Sequence, residues 1–181
     1  MDMAAASSGH KLTLSIMRHA KASHDDYRGA DIDRPLNKRG ERNAAAMGAW
    51  MAANDLAPLR ILCSPAVRTR QTLEVLRPGL AHKPVIEHHE TLYLAGPLVL
   101  LKHLHAVKRR AAHVMIIGHN PGLHALALDL IAEGPQDRIA ALGRKLPTSG
   151  LVVIGFGGTA WGDVVAGTGT LVSFTTPAEL D

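Results

Sequence analysis

Residues 13–19 read Thr-Leu-Ser-Ile-Met-Arg-His. Five β-forming or apolar residues end abruptly in a guanidinium and an imidazole, the pattern of a short buried strand that delivers polar groups at its carboxyl end. The same pattern recurs further along the chain. Arg60 to Cys63, apolar from Ile61 on, gives way to Ser64-Pro65, and His113 to Ile117 gives way to Gly118-His119-Asn120-Pro121. Pro84 to Glu87 reads as a shorter strand between them.

Helical stretches fill the intervals. Asn37 caps a helix to about Ala53, with Ala44, Met47, Ala49 and Trp50 on its apolar side. Ser64 as N-cap and Pro65 as first helical residue predict a helix through about Leu76. Pro97 to Arg109 reads as a helix burying Leu100, Leu101 and Leu104, and Asn120-Pro121 opens another to about Ile131. Leu151 to Phe156 and Thr170 to Thr175 read as an antiparallel pair at a sheet edge. Alternating strands and helices predict an α/β protein, a three-layer αβα sandwich with a mostly parallel central sheet. Ligands of such sheets sit at the carboxyl ends of the strands.

That rule gathers the candidate chemistry. Arg18-His19 follows the first strand, Arg68 lies one turn into the helix after the second, and His119 follows the His113–Ile117 strand. Two helix N-termini open on the same rim and offer free N–H groups to an anion. Two guanidiniums, two imidazoles and two helix ends suit a dianion, with phosphate the obvious one. Arginines fork onto pairs of oxygens, a neutral His19 can attack phosphorus, and a charged His119 would brace a phosphoryl oxygen. Lys21 and Ser23 are close enough in sequence to touch the phosphate, and Asn120 stands beside His119.

Composition sets the bounds. The chain has 181 residues, 46% apolar and only 3% aromatic, enough for one domain whose interior Ala, Leu, Val and Ile must fill. Residues 1–11 read as a disordered tail without a signal peptide, and residues 12–176 as one domain. One cysteine, Cys63, rules out an intramolecular disulfide and a thiolate-caged zinc site and points to the cytoplasm. Thr69 stands six positions after it, where a cysteine phosphatase needs arginine. No apolar run is long enough to span a membrane. The net charge of +4 is spread along the chain, and Lys108-Arg109-Arg110 reads as a helix-end cluster, so no nucleic-acid partner is expected. His103 and His105 face different ways on a helix, and Asp25, Asp26, Asp31 and Asp33 read as a solvated loop. Neither metal nor cofactor is expected.

Met17-Arg18-His19-Ala20-Lys21-Ala22 resembles the R-H-G or R-H-A signature of the histidine phosphatase superfamily. Ser64-Pro65-Ala66-Val67-Arg68-Thr69-Arg70-Gln71-Thr72 resembles its S-P-x-x-R-x-x-Q-T block, and Gly118-His119-Asn120-Pro121 its G-H-x-P block. Arg34-Pro35-Leu36 with Arg39-Gly40 resembles the small phosphohistidine phosphatases of the SixA type. The resemblance implies a phosphoglycerate-mutase-like fold, His19 as nucleophile, Arg18 and Arg68 as phosphate clamps, His119 as electrostatic stabiliser, and Glu90 as general acid after the third strand. Only 25 residues lie between Glu87 and His113. The mutases of the superfamily carry a larger, site-covering insertion there, so an open pocket is expected. The implied activity is metal-independent hydrolysis through a phosphohistidine intermediate, acting on a phosphorylated protein. The alternatives are a small-phosphomonoester phosphatase and a low-turnover phosphate-dependent binding module.

Overall fold

The computed structural model describes residues 10–23, 27–108 and 110–180. Most of the expected tail, together with Asp25, Asp26 and Arg109, lies outside them. Seven strands form one sheet: β1 (Leu12–Arg18), β2 (Arg60–Cys63), β3 (Val85–His88), β4 (His113–Gly118), β5 (Ile131–Glu133), β6 (Leu151–Phe156) and β7 (Gly169–Thr175). Their order across the sheet is β3-β2-β4-β1-β6-β7-β5. β6 alone runs against its neighbours β1 and β7, and the other neighbouring pairs are parallel. Five helices pack on it: α1 (Lys38–Ala53), α2 (Val67–Leu76), α3 (Pro97–His105), α4 (Gly122–Leu130) and α5 (Gln136–Arg144).

Alternation along the strands builds the three layers. Leu14, Ile16, Leu62, Val114, Ile116, Val152 and Ile154 share one core with Leu100 and Leu104 of α3, Leu123 and Leu126 of α4, and Leu142 of α5. Met17, Ile61, Cys63, Met115, Ile117, Leu151 and Val153 point the other way, against Met47 and Met51 of α1 and Leu73 and Leu76 of α2. A period of two on a sheet covered on both faces yields apolar runs rather than a polar stripe. The expected αβα sandwich is therefore present.

Local structure departs from expectation in four places. The β6–β7 pair is not at the edge, because β5 adds a further strand beyond β7. Neither β5 nor α5 was expected. α3 stops at His105, short of the basic cluster. α2 begins at Val67 with Ala66 as its N-cap, and the Ser64 hydroxyl gives it no side-chain cap, as described below. Among the described residues, no helix is long and apolar enough to cross a membrane.

Gly122 opens α4, and a Cβ there would overlap the backbone carbonyl oxygen of Ala95. This close approach docks segment 93–96 against the start of α4. Gly122→Ala should destabilise the protein by about 1–3 kcal/mol despite alanine's better helix propensity, since backbone must move. Urea unfolding checks it, and an unchanged midpoint would show that the segment can yield.

Candidate active site

Register brings the two imidazoles together. β1 and β4 are parallel neighbours with Arg18 opposite Gly118, so the next residue on each strand is a histidine at the carboxyl rim. The His19 amide donates to the Gly118 carbonyl at 3.0 Å, and the ring centroids lie 5.2 Å apart. β2 ends beside β4, with Cys63 opposite Ile117. The chain then turns through Ser64-Pro65 into α2, whose second residue is Arg68. His19, His119 and Arg68 are buried, at 8%, 3% and 1% exposure.

Hydrogen bonds assign the ring protons. His19 Nδ1 lies 2.7 Å from the Ala20 carbonyl oxygen, which can only accept. Nδ1 therefore carries the proton and Nε2 keeps its lone pair. His119 Nδ1 receives an N–H from Arg68 Nη2 at 3.3 Å, so its Nε2 is the protonated nitrogen and donates to Ser64 Oγ at 2.7 Å. Ser64 Oγ also lies 3.5 Å from the Ala66 amide, at the far limit of a hydrogen bond, and gives α2 no side-chain cap. Thr69 Oγ1 instead sits 2.8 Å from the Ser64 carbonyl and 2.7 Å from that of Ala66, closing the first turn.

Burial pushes the pKa of His19 down to about 4, with the guanidiniums of Arg68, Arg18 and Arg34 adding to the effect against the bond to Ala20. Burial, then His19 and Arg68, pushes His119 down to about 3. The first result fits a nucleophile, because an imidazole must be neutral to attack. The second favours a neutral His119 in the protein by itself, and a dianion placed beside it would raise its pKa toward the charged form.

These shifts have a consequence for stability. His113, whose Nε2 bonds Ser15 Oγ at 2.8 Å, is also pushed down by burial to about 4. The unfolded chain binds these protons near pH 6.5 and the folded one near 3–4, so the unfolded state holds more protons in between. Stability from this source is complete above about pH 6.5 and is lost as pH falls toward 4. Urea midpoints taken from pH 7.5 to 4.5 should fall steadily, and a flat profile would contradict the buried, neutral state of the three rings.

Arg18, half-buried at the end of β1, donates Nη1–H to the Leu146 carbonyl at 3.1 Å. The same carbonyl accepts from Asn120 Nδ2 at 3.0 Å. Arg18 Nε, Arg68 Nε, Asn120 Oδ1 and Ser149 Oγ are buried without a hydrogen-bond partner among the described residues. Unpaired buried polar atoms are rare and costly, and the two guanidinium N–H groups here are suited to an oxyanion. One of the two amide N–H groups of Asn120 goes to Leu146, the other stays free to donate, and its Oδ1 has no partner among the described residues.

Among the described residues, the side chains of the remaining expected residues make no hydrogen bond to this cluster. Lys21 is exposed; its carbonyl receives the Asn37 amide at 3.0 Å. Ser23 pairs through its backbone with Pro35 and Arg34. Glu90, placed at the start of a short 3-10 turn, makes no hydrogen bond to the four site residues. It lines a groove with Pro65, Arg70, Glu74, Arg77 and His88.

Asp31, Tyr93, Leu146 and Ser149 are the residues that sequence reasoning missed. In the sequence Asp31 reads as a solvated loop carboxylate. Its Oδ2 accepts from Arg68 Nη2 at 2.8 Å and from Tyr93 Oη at 2.7 Å, and its Oδ1 accepts from Arg34 Nη2 at 2.7 Å. These partners hold its carboxyl far below the usual carboxylate range despite some burial. Tyr93 stands edge-on to His119, with ring centroids 5.4 Å apart. Ser149 is buried at φ 59°, and its amide donates to the carbonyls of both Arg18 (3.1 Å) and His19 (3.2 Å). Only Ser149 left a trace in the sequence, as a turn-like Thr-Ser-Gly before β6. Among the described residues, no three His, Cys, Asp or Glu side chains gather as a metal-binding group.

Comparison with known proteins bears on this arrangement. The model of the histidine phosphatase superfamily (branch 1) matches residues 14–92. An uncharacterized protein of Mycobacterium tuberculosis is 37% identical over 166 residues, spanning 89% of this chain and 99% of that one. Among solved structures, a candidate phosphohistidine phosphatase SixA from Nakamurella multipartitia aligns with a TM-score of 0.79 and 29% identity. It covers 92% of this chain and 96% of its own. A protein histidine phosphatase SixA complexed with tungstate aligns with a TM-score of 0.74 and 25% identity, covering 94% and 100%.

Proposed function

This chain belongs to the histidine phosphatase superfamily and is a phosphatase, and on that premise we propose that it removes phosphoryl groups through His19, with phosphohistidine on a protein as its substrate. The observation that carries the reading is the free Nε2 lone pair of a neutral, buried His19 beside two guanidiniums. His19 Nε2 attacks phosphorus while Arg18 and Arg68 take charge from the equatorial oxygens, where a loose transition state spreads it. His119, held by Ser64 and Arg68, faces the same group. Water then hydrolyses the phosphoenzyme and returns His19 to its starting tautomer.

Three features support phosphohistidine over a phosphomonoester. An alkoxide leaving group needs a proton donor, and no hydrogen bond ties Glu90 to the site, while Asp31 is held ionised. An imidazole leaves as a neutral ring without such help. Among the described residues between β3 and β4 there is only one short 3-10 turn and α3, a compact connection that suits a phosphate presented on a protein surface. The likeness to a SixA structure complexed with tungstate points the same way. Cys63, buried and pushed up to about 12 by that burial, is an inert core thiol that accords with a cytoplasmic setting.

Turnover of a protein carrying phosphohistidine tests the reading. The expected result is a kcat/KM above that for p-nitrophenyl phosphate, with no metal added. Hydrolysis of p-nitrophenyl phosphate alone would move the substrate class to small phosphomonoesters, and tight phosphate binding without turnover would leave a binding module.

A further inference from the structure

Asp31 and Tyr93 form a pair at the mouth of the site that the phosphoryl chemistry does not use. Both come from loops, and both are anchored to the buried cluster. Tyr93 Oη and Arg68 Nη2 end on the same oxygen, Asp31 Oδ2, at 2.7 and 2.8 Å. The Tyr93 ring stands against His119, and Arg68 Cζ lies 5.8 Å from its centroid. The phenol is therefore two hydrogen bonds from a guanidinium that holds phosphate, and unlike His19 and His119 it is partly open to solvent. A leaving group must depart on the side away from His19, and a partly open polar group beside His119 is a candidate to meet it.

The polarity of this phenol is fixed. Asp31 is an ionised carboxylate and accepts only, so Tyr93 must spend its single proton on it. Asp31 also raises the pKa of Tyr93, so the hydroxyl stays a phenol. To anything else in the site, Oη is a pure acceptor.

His19 shows why an acceptor is wanted. Its Nδ1–H is held by the Ala20 carbonyl while Nε2 is free to bond phosphorus. That bond makes the ring cationic, and the carbonyl stabilises the N–H of the cation. A phosphohistidine substrate is the same species in reverse: one ring nitrogen carries phosphorus and the other a proton. As the new Nε2–P bond forms, the substrate's P–N bond breaks and its electron pair stays on that nitrogen. The proton on the second nitrogen does not move, and neutral imidazole departs. The substrate ring thus needs its own counterpart to Ala20.

Resting on the phosphohistidine reading above, we infer that Tyr93, seated on Asp31, determines specificity by accepting the N–H of the substrate imidazole through Oη. A phosphomonoester has no such N–H, so the pair gives it nothing.

The test compares kcat/KM for phosphoimidazole and for p-nitrophenyl phosphate in the wild type and in Tyr93→Phe, which keeps the ring against His119. A hydrogen bond of this kind is worth roughly tenfold. The variant should lose about tenfold or more on phosphoimidazole and less than threefold on p-nitrophenyl phosphate. Asp31→Asn, which removes the charge that orients the phenol, should shift the ratio in the same direction. A ratio is insensitive to how much protein is folded. Equal losses on both substrates would overturn the inference by making the pair a mere support for Arg68. A larger loss on p-nitrophenyl phosphate would overturn it by making Tyr93 a proton donor, and no loss on either would remove the phenol from the site. If the wild type hydrolyses p-nitrophenyl phosphate but not phosphoimidazole, the phosphohistidine reading fails first and takes this inference with it.

Discussion

His19→Ala should lower kcat by roughly 10⁴-fold or more, the scale expected when a covalent nucleophile is removed and only binding and charge remain. The loss should appear on phosphohistidine and on p-nitrophenyl phosphate alike, since both pass through the same bond to Nε2. Folding should survive, because among the described residues the His19 side chain hydrogen-bonds only the adjacent carbonyl of Ala20. The amide that ties β1 to β4 belongs to the backbone and is kept. Steady-state kinetics with a thermal melt checks both halves. A variant that retained more than about 1% of the wild-type rate would put the nucleophile elsewhere.

Arg68→Ala should cost roughly 10²- to 10³-fold in kcat/KM, by analogy with the loss of one preorganised donor to a developing charge. Three partners are affected together: the phosphoryl oxygens, His119 Nδ1, and both the carbonyl and the carboxylate of Asp31. Arg68→Lys should recover little of the loss, because an ammonium on a flexible stem cannot fork and cannot reach Asp31 and His119 at once. With Arg68 gone, the carboxyl of Asp31 should move back up toward its ordinary pKa, which NMR titration of the side chain can follow. A variant with full kcat/KM would take Arg68 out of the reaction.

The sequence made the site's framework legible because strand ends are written locally. Residues 13–17, 61–63 and 114–117 are mainly apolar runs that stop at polar residues, and the parallel registers of β1 and β2 with β4 carry those stops to one rim. Asp31 and Tyr93 have no such signal. Each is a loop residue whose partner is distant in the chain, so the burial of Arg68, not any spacing, gives Asp31 its task. Leu146 acts through its carbonyl, to which side-chain identity is blind. Ser64 shows how a local signal can mislead: Ser-Pro has the form of a cap and first turn, yet the hydroxyl is drawn to His119 and the helix starts later. β5 is missed because three residues are too few for a pattern. α5 is missed because its buried side rests on Leu142 alone.

Glu90 and Asn120 mark the boundary between motif and geometry. Each stands at a position where an acid or a phosphate ligand is expected: Glu90 lines a groove beside α2, while Asn120 shares the Leu146 carbonyl with Arg18. The site that results is rich in donors and acceptors and poor in acids. This is the main physical reason to favour a leaving group that needs no added proton.

Rapid-quench labelling with a ³²P phosphodonor, followed by peptide mapping, tests the central claim most directly. The expected product is a base-stable, acid-labile label on the peptide that contains His19, formed and lost at rates compatible with turnover. A label on another residue, an acid-stable phosphoester, or full turnover with no phosphoenzyme at any time would contradict it.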